Sequence, residues 1–166
     1  SYNADAIASA LPDAPFEAVK EAASIVLKPN WVSEAHRSKP GEWDYVITHP
    51  AVITAVLNKV IATGQRLERI TITDGPQTDS SFSSILNLNP VTEWDRMARQ
   101  KGILLEIVDL RDDEWVSQQG VVIERRSLPG DPRRKCIFDL PGDKSEFHGQ
   151  QKSARGYYGA DYNIAE

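Results

Sequence analysis

Cysteine is nearly missing from this chain. Cys136 stands alone among 166 residues, which excludes an internal disulfide, a multi-cysteine zinc site and an iron–sulfur cluster ligated within this segment. It lies between Lys135 and Ile137 and reads as an inert buried thiol, and such sparing use fits a reducing cytoplasm. Long hydrophobic runs are missing too. Nothing approaches the ~18 consecutive apolar residues of a membrane helix, and no charged-then-apolar leader precedes a cleavage site, so the chain reads as soluble with no membrane partner. Positive charge is in deficit: 19 Lys and Arg stand against 24 Asp and Glu, a net charge of −5. That balance opposes generic binding to a phosphate backbone, and no nucleic acid is expected.

Several motifs are absent as well. No strand runs straight into three spaced glycines, so a dinucleotide fingerprint is not supported, and there is no nucleophile elbow. His36, His49 and His148 lack any local metal-ligand spacing. No internal repeat recurs at a solenoid period. What remains is ordinary globular material, 40% hydrophobic and 26% charged, of a length suited to one core. The chain opens at Ser1 without a methionine and stops at Glu166 inside a polar, aromatic segment. It therefore reads as a piece of a longer protein, with the remainder of that chain or a partner subunit as the expected partner.

The most informative stretch is Ser24-Ile25-Val26-Leu27-Lys28-Pro29-Asn30-Trp31-Val32. Residues 25–27 predict a short strand packed on both faces, as in a parallel sheet. Lys28, Pro29 and Asn30 follow at once, a cation and an amide on a conformationally fixed loop past the strand's carboxyl end. In open α/β sheets ligands bind there. Ahead of it, residues 4–11 and 16–23 are helical in pattern, with Leu11, Phe16 and Val19 facing the core. Residues 33–45 form a long polar loop, mobile or functional, whose cations either fold over an anion at Lys28 or stay solvated. Thr48 or His49 then caps a helix with Pro50 in its first turn; Val52, Ile53, Val56, Leu57, Val60 and Ile61 form its apolar face, and Gly64 stops it.

Residues 69–73 alternate as a strand and break at Asp74-Gly75-Pro76. Strand, helix, strand is a βαβ unit with parallel strands and a right-handed crossover, which brings Lys28 and Asn30 beside Asp74 and Gly75. A helix from Pro90, with Val91, Trp94, Met97 and Ala98 on its face, leads to a third strand over 103–110 that delivers Asp109 to the same edge. Residues 121–128 and 135–140 read as an antiparallel hairpin turned by Pro129-Gly130-Asp131-Pro132, with Arg125, Arg126, Arg133, Arg134 and Lys135 concentrated on it. The fold is α/β, a largely parallel sheet built of βα units with an added antiparallel hairpin. It forms a partial domain over 1–144, followed by a polar aromatic tail or covering loop over 145–166.

Leu27-Lys28-Pro29-Asn30, Thr48-His49-Pro50 ahead of an alanine-valine helix, Asp74-Gly75-Pro76 and Ser153-Ala154-Arg155-Gly156-Tyr157 occur in that order. With them the chain resembles the amino-terminal part of the family catalogued as domain of unknown function 362, over about residues 4–166. The resemblance implies a biochemical role uncharacterised for the class, and further strands with a lysine- and histidine-bearing motif beyond this segment. Some members carry ferredoxin-like iron–sulfur segments, whose cysteine runs have no counterpart here.

Two functional expectations follow. In the first, the chain is an enzyme or enzyme fragment binding a small anionic ligand, phosphorylated or carboxylated. Lys28 neutralises the anion, Asn30 orients it, Gly75 permits close backbone approach, and Asp74 is the candidate catalytic acid/base or holds a divalent cation with help from Asp79 or Asp109. Trp31, His49, Asp79 and Arg155 complete the candidate ligand-binding set, although His49 reads first as a helix-start residue. In the second, the chain is a non-catalytic ligand-binding or protein-interaction module that uses the hairpin arginines and the tail aromatics Phe147, Tyr157, Tyr158 and Tyr162. Electron transfer has no residue here to support it.

Overall fold

Three short strands, β1 (Ser24–Leu27), β2 (Arg69–Asp74) and β3 (Leu104–Asp109), run parallel in the order β1-β2-β3. The structure, a computed structural model, describes residues 2–36, 38–119 and 121–133 in full and the backbone of 153–155 and 161–163. The chain divides into two compact units, Ser1–Arg133 and Arg134–Glu166. In the first, helix α1 (Ala4–Ala10), capped by the Asn3 side chain, and a 3₁₀ turn (Ala14–Val19) precede β1. Helix α2 (Pro50–Thr63) joins β1 to β2, and helices α3 (Phe82–Asn87) and α4 (Val91–Arg99) join β2 to β3. Pro12 and Pro15 interrupt the first helical run, so a 3₁₀ turn stands where a second helix over 16–23 was expected.

The register explains which faces are apolar. Ile25, Ile70 and Leu105 stand side by side, as do Leu27, Ile72 and Ile107. These six join the core with Ile53, Leu57 and Val60 of α2, Trp94 and Ala98 of α4, and Val19. Consecutive strands joined by right-handed crossovers in the order 1-2-3 carry their helices to one face. β1 is consequently not packed on both faces, as its composition suggested: Val26, on the opposite face with Thr71 and Glu106, is 61% exposed. On that face the Arg133 guanidinium lies 3.1 Å from Glu106 and also donates to Thr71 Oγ1. Among the described residues β1 and β3 are both edge strands.

α2 matches its expected boundaries because its ends are chemically marked. His49 caps it, Pro50 tolerates the first turn, and the Gly64 N–H closes on Val60 O at 2.9 Å. Gly64 ends the helix at φ −69 rather than in the left-handed region. Its need is spatial, since a Cβ there would stand 2.9 Å from Leu67 Cβ. Gly64→Ala should therefore destabilise the protein by about 1 to 2 kcal/mol through overpacking, against the gain expected from a stiffer unfolded chain. A urea midpoint shifted downward with an unchanged slope would show it.

An antiparallel hairpin exists, and among the described residues the partner of β5 precedes it in the chain. β4 (Asp113–Gln118) pairs with β5 (Val121–Ser127) across residues 119–120, Gln119 standing at φ 50. Pro129-Gly130-Asp131-Pro132 follows β5, with Gly130 at the left-handed φ of 63 that glycine adopts without strain. Residues 135–140 lie outside the described residues. The charges on residues 113 and 114 hid β4, yet they pair it to its neighbour: Asp113 holds Arg125, which also lies 5.8 Å from the Trp115 ring centroid. In the second unit, the backbones of β6 (Ser153–Arg155) and β7 (Asp161–Asn163) pair antiparallel. Among the described residues no helix is long and apolar enough to cross a membrane.

Candidate functional site

Parallel strands present their carboxyl ends on one edge, and here the first two loops meet. Lys28 follows β1 directly, Asp74 is the last residue of β2, and Lys28 Nζ lies 3.0 Å from Asp74 Oδ1. The Asp74 carboxylate is buried, its side chain 7% exposed, and it also accepts from Trp31 N–H at 2.6 Å and Gly75 N–H at 2.8 Å. Lys28 is the opposite, with its side chain 62% exposed. A buried anion, satisfied by two backbone donors, thus holds a solvent-facing cation in place.

The rest of the rim is tied loop to loop. Asn30 N–H donates to Thr48 Oγ1 at 2.9 Å, and Thr48 N–H returns to Asn30 O at 2.8 Å. Trp31 bridges to Ile47, and its ring packs edge-on to Phe82 at 6.0 Å. After β2, Gln77 N–H donates to Val32 O at 3.0 Å, while Ser80 Oγ and Ser81 N–H both reach Glu34 Oε2, at 2.7 and 3.1 Å. Arg111, just past β3, clamps the same segment. Its Nη1 donates to Ser80 O at 2.7 Å and Gln77 O at 2.9 Å, and its Nη2 pairs with Asp109 Oδ2 at 2.7 Å. Burial works against the Arg111 charge, but the hydrogen bonds and attraction from Asp109, with Glu114 and Glu34 behind, hold its pKa above the ordinary arginine value.

The amino end of α2 closes the other side. His49 Nδ1 accepts from Ala51 N–H at 3.1 Å, and the Val52 and Ile53 N–H groups both turn to His49 O, at 2.9 and 3.4 Å. Between β1 and α2 lies a cleft of about 160 Å³ lined by Leu27, Lys28, Pro29, Thr48, Val52, Ile53 and Val56.

The structure brings Lys28, Asn30, Asp74 and Gly75 together at one rim, with His49 across the cleft as a helix cap. Trp31 contributes its backbone. Its ring is 1% exposed and belongs to the core, and its Nε1 has no hydrogen-bond partner among the described residues. Gly75 spends its N–H on Asp74, and a Cβ there would meet no protein atom nearer than 3.9 Å. Asp79 lines a separate cleft of about 280 Å³ with Glu34, Ser80, Glu114 and Arg126. Asp109, expected to assist Asp74, is committed to Arg111. The Arg155 side chain lies outside the described residues. Among the described residues no group of three or more His, Cys, Asp or Glu is placed to hold a metal ion. Of the loop cations, Lys39 pairs with Glu42 at 3.1 Å.

Thr48, Glu34 and Arg111 were not singled out from sequence. Thr48 stood in view as a cap, but the partner of Glu34 is 46 residues away and that of Arg111 over 30, separations that no local pattern reveals. Residues 25–131 match the model of a family described as Domain of unknown function (DUF362). Comparison with curated proteins and with solved structures finds no match.

Proposed function

We propose, for a chain that belongs to the family described as Domain of unknown function (DUF362), that the carboxyl edge of its parallel sheet binds a small anionic metabolite. One observation supports this reading above the rest: Lys28, 62% exposed, is braced against Asp74, 7% exposed, at the edge where open α/β sheets take ligands. An ammonium has three N–H donors, and bracing it reduces the side-chain entropy lost when an anion engages the remainder. Asp74 is already met by three donors, so its role is to position Lys28 and the 28–31 loop. Asn30, exposed at the same rim, supplies an amide to orient the ligand.

A thermal-shift panel of carboxylates and phosphates tests it. A ligand present at about 100 times its Kd stabilises by ~2.7 kcal/mol; that gain is expected to vanish in Lys28→Ala and survive in part in Lys28→Arg. Equal stabilisation of the wild type and Lys28→Ala would reject the site.

A second reading, an interaction module, draws on β5, where Val121, Val122 and Ile123 are 64%, 47% and 60% exposed. The hairpin arginines support it less, because Arg125 pairs with Asp113 and Arg126 with Glu124. Loss of a protein partner in Ile123→Lys, with anion binding intact, would favour it.

A further inference from the structure

Resting on that anion-binding reading, we infer that the ligand at this rim is a monocarboxylate with a compact, ring-sized apolar body, carried in the cleft between β1 and α2. The argument turns on which donors are free. A phosphoryl group is usually cradled by several backbone N–H groups at a helix amino end. At α2 those groups are spent: Pro50 has none, Ala51 N–H goes to His49 Nδ1, and Val52 and Ile53 N–H go to His49 O. Gly75 N–H, the other rim amide, is held by Asp74. What the cleft retains is one N–H of the Lys28 ammonium, whose others reach Asp74 Oδ1 at 3.0 Å and Pro29 O at 3.4 Å, and the Thr48 hydroxyl, whose oxygen accepts from Asn30 and whose proton is left to donate. One cation and one hydroxyl match the two oxygens of a carboxylate and fall short of a phosphate's three or four.

The rest of the lining is apolar: Leu27, Pro29, Val52, Ile53 and Val56. Its volume of about 160 Å³ is close to that of apolar cavities of about 150 Å³ that accept benzene. A short polar acid such as acetate would leave those side chains wet, whereas a ring or branched body covers them. Charge at the mouth and apolar walls behind it select an amphipathic acid.

Calorimetric titration of the whole chain with benzoate, cyclohexanecarboxylate, acetate and inorganic phosphate tests this. The two ring acids are expected to bind at least tenfold tighter than acetate or phosphate, and both Lys28→Ala and the cleft-filling Val52→Phe to weaken benzoate at least tenfold. The ligand series needs no variant, so it stands even if Val52→Phe folds poorly. Phosphate binding as tightly as benzoate, with loss in Lys28→Ala, would overturn the inference and leave the anion site standing. Benzoate binding unchanged in Lys28→Ala, or no binding by any of the four, would overturn both. Concentration-dependent self-association abolished by Val52→Phe would give the cleft to a second copy of the chain and overturn the assignment.

Discussion

Asp74→Ala is expected to lower the unfolding free energy by about 1 to 3 kcal/mol, the cost of leaving the buried Trp31 amide donor unpaired. The carboxylate accepts from Trp31 N–H and Gly75 N–H as well as from Lys28, and alanine offers none of the three an acceptor. The Lys28 ammonium, 62% exposed, regains water and adds little. Lys28→Ala should accordingly change stability by less than about 1 kcal/mol. The pair of substitutions therefore separates the two roles: losing Asp74 disturbs the fold of the rim, and losing Lys28 disturbs ligand binding. Urea unfolding of both variants against the wild type measures the difference, and similar small losses in the two would show that Asp74 does not hold the loop.

Arg111→Met should cost about 3 to 5 kcal/mol, as breaking a buried ion pair from one side does. The Arg111 side chain is 6% exposed and that of its partner Asp109 is 16% exposed. Removing the guanidinium strands that carboxylate and takes the shared donor from Gln77 O and Ser80 O. Arg111→Lys should recover only part of the loss, because one ammonium cannot fork onto a carboxylate while reaching two carbonyls. Amide hydrogen exchange gives a local readout. Trp115 N–H, bonded to Thr78 O at 2.7 Å, should lose protection in Arg111→Met, since Thr78 rides on the clamped segment. Retained protection with a loss below about 1 kcal/mol would mean the clamp is dispensable.

The parallel sheet and its rim were legible from local pattern because their determinants are local. A β-favouring run, a capped helix with a wide apolar face, and a second run ending in Asp-Gly-Pro leave little choice of topology once crossovers are right-handed. Lys28 and Asp74 meeting at 3.0 Å follows from that topology. What composition did not reveal was the number of covered faces. Val26 is as apolar as its neighbours, and only the strand order β1-β2-β3, with both connections on one side, leaves it exposed. The Trp31 ring looked like a rim residue by position and is core by packing. The β4–β5 pairing was not read from sequence, because the charges of Asp113 and Glu114 conceal a strand whose cohesion comes from cross-strand pairs such as Asp113 with Arg125. Arg111 escaped notice because its value lies in carbonyls that only the folded chain brings to it.

The most direct measurement is an amide-resolved NMR titration of the isotopically labelled chain with benzoate. The backbone resonances of Lys28, Asn30, Thr48 and Val52 should move together along one saturable curve, and should stay still in Lys28→Ala at the same concentrations. Shifts confined to Val121, Val122 and Ile123 on the hairpin, or none that saturate at the rim, would contradict an anion site at the carboxyl edge of the sheet.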